Sequence, residues 1–130
     1  MNGLLTTYLA VAVGGALGSV ARFWLTGVMT VVTGPRFPWG TLLINILGSA
    51  LIGLVGGIAL TPDRIWLHPT LRIFLMTGVC GGFTTFSAFS LQALELIQTG
   101  DVAPAMAYMA GSVVLCLAFT WAGWSLGRMI

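Results

Sequence analysis

The sequence predicts an all-α membrane protein in which residues 1–130 form a single transmembrane domain of four helices, the third of them broken. Three observations carry this reading. Apolar residues make up 58% of the chain and charged ones 6%, with a mean hydropathy of +1.02, a balance from which a water-facing surface can hardly be built. The charged side chains, Arg22, Arg36, Asp63, Arg64, Arg72, Glu95, Asp101 and Arg128, stand far enough apart to leave four stretches of span length; about 20 helical residues cross the roughly 30 Å of hydrocarbon. The third stretch holds adjacent glycines followed by two threonines, poor material for a continuous helix interior.

The first span runs from Leu4 to Val32 with Arg22 as its one charge, and Thr33-Gly34-Pro35-Arg36-Phe37-Pro38 ends it because two prolines and a glycine disfavour continuation. The second, Thr41 to Leu60, has no charge. The connection Thr61 to Pro69 combines Asp63, Arg64 and two prolines with Trp66, whose amphipathic ring suits the headgroup level. The third span runs from Leu71 to Leu96, Thr99-Gly100-Asp101 makes a turn, and the fourth runs from Ala103 to Gly127. These runs are longer than a membrane strand of about ten residues and are apolar on most faces, so helices fit better. Nothing before Leu4 reads as a basic leader or cleavage segment, so the first span is expected to remain in the mature protein. GxxxG spacing at Gly14/Gly18, Gly53/Gly57 and Gly123/Gly127 would let helix backbones approach closely in lipid.

Composition also excludes functions. Cys80 and Cys116 read as small apolar packing residues, and His68 lies in a loop. No HExxH, CxxC, Walker or dinucleotide signature recruits them, so enzyme chemistry is not expected. The net charge of +2 comes from scattered arginines with no lysine, which gives nucleic acid nothing to follow. With Met1 on one side, that side receives Arg64, Arg72 and Arg128, and the other Arg36 alone or Arg36 with Arg22. So small a bias fixes topology weakly, which opens insertion in both orientations and assembly of an inverted dimer. One four-helix chain is also too thin to enclose a polar path alone.

Polar groups inside the spans are informative because hydrocarbon penalises them unless they find partners or face a cavity. Asn45, within Gly40–Ser49, fits either interhelical glue or the lining of an ion path. Arg22 fits either snorkelling to the interface or standing at the mouth of an anion pathway. Glu95 reads as a water-facing end residue. Gly78–Ser90 predicts a break whose exposed carbonyls need protein, water or a cation, with Gly81-Gly82 free to take unusual backbone angles. Phe86 and Phe89, three apart, share a helical face. They suit either core packing or an apolar tunnel whose ring edges favour an anion.

Three motifs, GGALGSVARF in the first span, GTLLINILGS in the second and GVCGGFTTFSAFS in the third, occur in order along the chain. With them the whole chain resembles the CrcB/Fluc family of fluoride channels. The resemblance implies a single channel domain assembled as a dual-topology antiparallel homodimer with two fluoride pathways. It implies a passive, highly selective channel that exports fluoride across a bacterial plasma or inner membrane and lowers its cytoplasmic concentration. On that basis Asn45 would contact the ion path, Phe86 and Phe89 would stand beside the anions, and Arg22 would lie toward an aqueous vestibule. Tyr108 and Ser112 would add hydroxyls, and Thr85 and Ser87 would supply the polar track. The carbonyls of Gly81 and Thr84 from both subunits would hold a structural Na⁺ on the two-fold axis. Ala88 and Cys116 stand where the family often has threonine and serine, so the polar track is thinner here. The rival class is a small four-span multidrug or cation transporter. It would need an acidic coupling residue well inside a span, and none stands there. The implied partners are therefore fluoride, the lipid bilayer and an inverted second copy, with no nucleic acid.

Overall fold

A computed structural model describes residues 2–59 and 67–130. Long helices α1 (Asn2–Thr33) and α2 (Trp39–Ala59) come first, and α6 (Val102–Met129) comes last. Between them the third span is composite: α3 (Pro69–Ile73), a π-helical stretch (Phe74–Cys80), α4 (Gly81–Phe83) and α5 (Phe86–Gln98). Segments 3–33, 39–59, 69–98 and 102–129 are each long and apolar enough to cross a membrane, in agreement with the four spans expected from charge spacing. The expected end of the second span at Leu60, and Asp63, Arg64 and Trp66 of the following connection, lie outside the described residues.

Local chemistry accounts for the ends. Gly34 and Gly100 take φ of 80° and 85° where α1 and α5 stop, a left-handed conformation that costs glycine little. His68, unassigned by sequence, caps α3: its Nδ1 accepts from the Thr70 N–H at 3.3 Å, with Pro69 opening the helix. Arg36 and Asp101 approach to 3.7 Å, which brings the α1–α2 and α5–α6 connections to the same end of the bundle. Arg36 is 89% exposed, so this pair contributes little to stability.

The bundle is held by two glycine seams. In the first, α2 lies against α6: a Cβ on Gly53 would meet the Thr120 carbonyl, and one on Gly123 would meet the Ala50 carbonyl. Gly57 and Gly127 face each other in the same seam, the added Cβ of each 3.1 Å from the other's Cα. In the second, α1 lies against the third span, where a Cβ on Gly14 would stand 2.7 Å from the Phe74 carbonyl oxygen. The expected GxxxG pairs are therefore backbone contact surfaces, the means by which helices pack when lipid competes for every apolar face. Ile44, Cys80 and Tyr108 are the largest fully buried side chains, while Phe23, Trp24, Val31 and Trp121 point outward.

The break falls later than its glycines suggest. Gly81 is helical, at φ −63° and ψ −37°, and α4 continues through Phe83. The chain extends only at Thr84 (φ −82°, ψ 158°) and Thr85 (φ −153°, ψ 123°), midway along the third span. The expectation of unusual angles at Gly81-Gly82 is corrected accordingly. Gly82 is small because a Cβ there would strike the Gly15 carbonyl of α1, whereas β-branched threonines suit extended backbone.

Candidate functional site

The site is built around these two extended residues. Leaving the helix frees main-chain groups that hydrocarbon cannot hydrate, so each needs a protein partner. The Thr84 N–H and its Oγ1 hydroxyl both donate to the Cys80 carbonyl, at 2.9 and 2.8 Å. Thr85 is served from α2: its N–H donates to Asn45 Oδ1 at 2.9 Å, and its carbonyl accepts from Asn45 Nδ2 at 3.0 Å. Thr85 Oγ1 then accepts from the Ala88 N–H at 3.3 Å, capping α5, and lies 3.3 Å from the Ser87 hydroxyl. Gly48, one turn along α2 from Asn45, makes room for the Thr84 methyl. From α1, Arg22 Nε and Ser19 Oγ donate to the Gly82 carbonyl at 3.1 and 3.4 Å. The hydrogen-bond network of the described residues assigns no donor to the carbonyls of Gly81 and Thr84.

Beside the break lies a groove of about 520 Å³, lined among others by Asn45, Gly81, Thr84, Thr85, Phe86, Phe89, Ser112 and Cys116. The Phe86 and Phe89 rings stand 5.3 Å apart, and Phe89 packs on Tyr108 at 5.1 Å with the ring planes tilted by 50°. Phe86 is 77% exposed on this single chain, while Tyr108 is buried. Ser112 Oγ is buried with no hydrogen-bond partner among the described residues. Unlike Ser112, neither Ser87 nor Tyr108 lines the groove.

A second cavity, about 430 Å³, opens at the end marked by Arg36 and Asp101. Thr26, Thr30, Thr33, Thr41, Gln92, Glu95 and Thr99 line it. Four of these threonines, Thr26, Thr30, Thr33 and Thr99, donate back to carbonyls four residues earlier, so they present satisfied polar walls. The Tyr108 hydroxyl donates to Gln92 Oε1 at 3.0 Å, which joins this cavity to the ring pair at Phe89.

The structure thus gathers Asn45, Thr84, Thr85, Phe86, Phe89 and Ser112 around one groove, with Gly81 on the same wall. Arg22 lines neither of these two cavities, and its Nε donates to the Gly82 carbonyl of the third span. Sequence reasoning missed Gln92 and buried Thr41. The available signal for Gln92 was its spacing of three from Phe89, which puts it on the same helical face.

Four apolar spans with polar groups arranged inside them define a multi-pass membrane protein. The family model described as "CrcB-like protein, Camphor Resistance (CrcB)" matches residues 9–124, and the chain belongs to this family. Over 125 residues the chain is 52% identical to the "Fluoride-specific ion channel FluC" of Nitrobacter winogradskyi, covering 96% of this chain and 98% of that one. It is 50% identical to the protein of the same name from Rhodospirillum rubrum over 117 residues, 90% of this chain and 91% of that one. The Methylocella silvestris protein, also so named, is 49% identical over 116 residues, 89% and 88% of the two chains.

Proposed function

We propose that this protein is a passive, highly selective fluoride channel that lets fluoride leave the cytoplasm across the bacterial inner membrane. The observation that carries the reading is the groove, where the Ser112 hydroxyl, without a partner among the described residues, sits among the same lining residues as Phe86 and Phe89. Asn45 adds a second N–H, since its amide has two and one serves Thr85. Fluoride is small and strongly hydrated, so entry requires donors that replace its water, and ring edges offer further positive character. Relatives that match nearly the whole chain are named fluoride-specific ion channels, which favours a channel over a coupled transporter. In this reading Asn45, Ser112 and the two phenylalanine rings touch the anion. Tyr108, Thr85 and Ser87 supply hydroxyls near the track, and the cavity at Arg36 and Glu95 is the aqueous mouth.

The groove is open along one side and Phe86 is exposed there, which supports closure by a second, inverted copy into an antiparallel homodimer. A structural Na⁺ would sit where the two copies meet. The carbonyls of Gly81 and Thr84 fit it, because both residues line the groove and the network among the described residues gives these carbonyls no donor. When bound, the cation offsets the negative ends of these carbonyls.

The test is ion efflux from liposomes holding the purified chain, fluoride against chloride under equal gradients. Fast fluoride efflux without chloride efflux is expected. Equal chloride flux, or uphill uptake driven by a proton gradient, would overturn the channel. Thr99→Cys, labelled from each side of the membrane in turn, reads orientation: labelling from both sides is expected, and from one side only would overturn dual topology.

A further inference from the structure

Gly82 lies in the last helical turn before the extended pair, where a carbonyl loses its following helical N–H. It receives donors from another helix: Arg22 Nε at 3.1 Å and Ser19 Oγ at 3.4 Å. Gly15, Gly18, Ser19 and Arg22 follow the i, i+3, i+4, i+7 spacing of one helical face. Gly18 lets α1 come near enough for Ser19 and Arg22 to reach, since a Cβ on it would meet the Val79 carbonyl. Arg22 has no carboxylate within ion-pair distance among the described residues, where Arg36 and Asp101 form the ion pair. A half-buried guanidinium within a span needs an acceptor, and the negative end of a broken helix is one.

We propose that Arg22 and Ser19 are positioning residues that cap the broken helix from α1, turning the Gly82 carbonyl away from the groove and leaving those of Gly81 and Thr84 to face it. The cap fixes which oxygens a bound cation can use. The arginine charge on the neighbouring peptide also opposes the cation, which weakens binding and limits the site to one ion. This second effect rests on the Na⁺ reading above, whereas the cap does not.

Gly82-Phe83 is the only Gly-Phe step in the sequence, so 1-¹³C-glycine with ¹⁵N-phenylalanine singles out the Gly82 carbonyl carbon by NMR. The full chain, reconstituted in lipid, is compared with Arg22→Met, Arg22→Lys and Ser19→Ala. Methionine keeps the apolar stem, and lysine keeps the charge. The Gly82 resonance is expected to move upfield in Arg22→Met, and less in Arg22→Lys and Ser19→Ala. A parallel Na⁺ titration of thermal stability should show half-saturation at about tenfold lower Na⁺ in Arg22→Met, with little change in Arg22→Lys. An unmoved Gly82 resonance in Arg22→Met overturns the cap. A moved resonance with an unchanged titration overturns the electrostatic effect alone. If the native chain shows no Na⁺ dependence, the cation reading fails while the resonance still decides the cap. Should Arg22→Met not fold, unmoved resonances in both milder variants overturn the proposal.

Discussion

Asn45 pairs its side-chain amide with both main-chain polar groups of Thr85, one hydrogen bond in each direction, at 2.9 and 3.0 Å. The pair imitates a rung of β-ladder between a helix and an extended strand. It allows the third span to unwind in an apolar setting, and it joins the two roles left open for Asn45, since the residue that glues the break also lines the groove.

Replacing Asn45 therefore affects folding and conduction together. Asn45→Ala leaves a donor and an acceptor of Thr85 unmatched and should cost about 2–4 kcal/mol. Asn45→Asp keeps the acceptor for the Thr85 N–H, loses the donor and adds negative charge to the groove. Its fluoride efflux should fall at least as far as that of Asn45→Ala despite a smaller loss of stability. Thermal unfolding and liposome efflux on the same preparation check both; native efflux in a folded Asn45→Asp would contradict the assignment.

The two phenylalanines should separate stability from flux. Phe86 is 77% exposed on the single chain, and Phe86→Ala should change protomer stability by less than about 0.5 kcal/mol. Phe89 is half-buried and packed against Tyr108, and Phe89→Ala should cost about 1–2 kcal/mol, below the fully buried range because lipid competes for the ring. Fluoride efflux should drop in both. An unfolding midpoint lowered equally in the two variants would show that Phe86 is packed, not presented.

Adjacent glycines should behave oppositely. A Cβ on Gly81 meets nothing within 4 Å, so Gly81→Ala should leave protomer packing intact and report only on what occupies the groove. A Cβ on Gly82 strikes the Gly15 carbonyl, which is backbone and yields poorly, so Gly82→Ala should destabilise by about 1–3 kcal/mol. Equal melting of the two variants would refute the α1 contact.

Ser112→Ala removes a buried hydroxyl with no partner among the described residues. Stability should stay level or rise by up to about 1 kcal/mol, because an unsatisfied polar group is lost, while fluoride efflux declines. A large loss of stability would mean that Ser112 is a structural donor.

Much of the fold could be read from charge placement, since a span in hydrocarbon shows itself by what it omits. The glycine pairs were also legible, because spacing of four puts both on one helical face. The register of the break was not. In Gly81-Gly82-Phe83-Thr84-Thr85 both glycines and threonines disfavour helix, and only the contact of Gly82 with α1 decides that the glycines stay helical. Arg22 was ambiguous for a similar reason: its acceptor lies 60 residues away, in a carbonyl exposed only by a break whose place the sequence left open. Gln92 escaped notice because a glutamine near a span end looks like an ordinary interfacial residue until Tyr108 is found against it.

The helpers of the break share one further property: Ser19, Arg22 and Asn45 all precede it in the chain. Synthesis runs from the N-terminus, so α1 and α2 leave the ribosome before Thr84 and Thr85 do. The unwound segment thus enters a bilayer that already holds the groups able to receive it. A chain truncated after Gln98 should accordingly integrate its third span, and one lacking α1 and α2 should let that segment slip back toward water. The order of the helices is in this sense an assembly instruction, with the most membrane-averse stretch of backbone scheduled after its hosts.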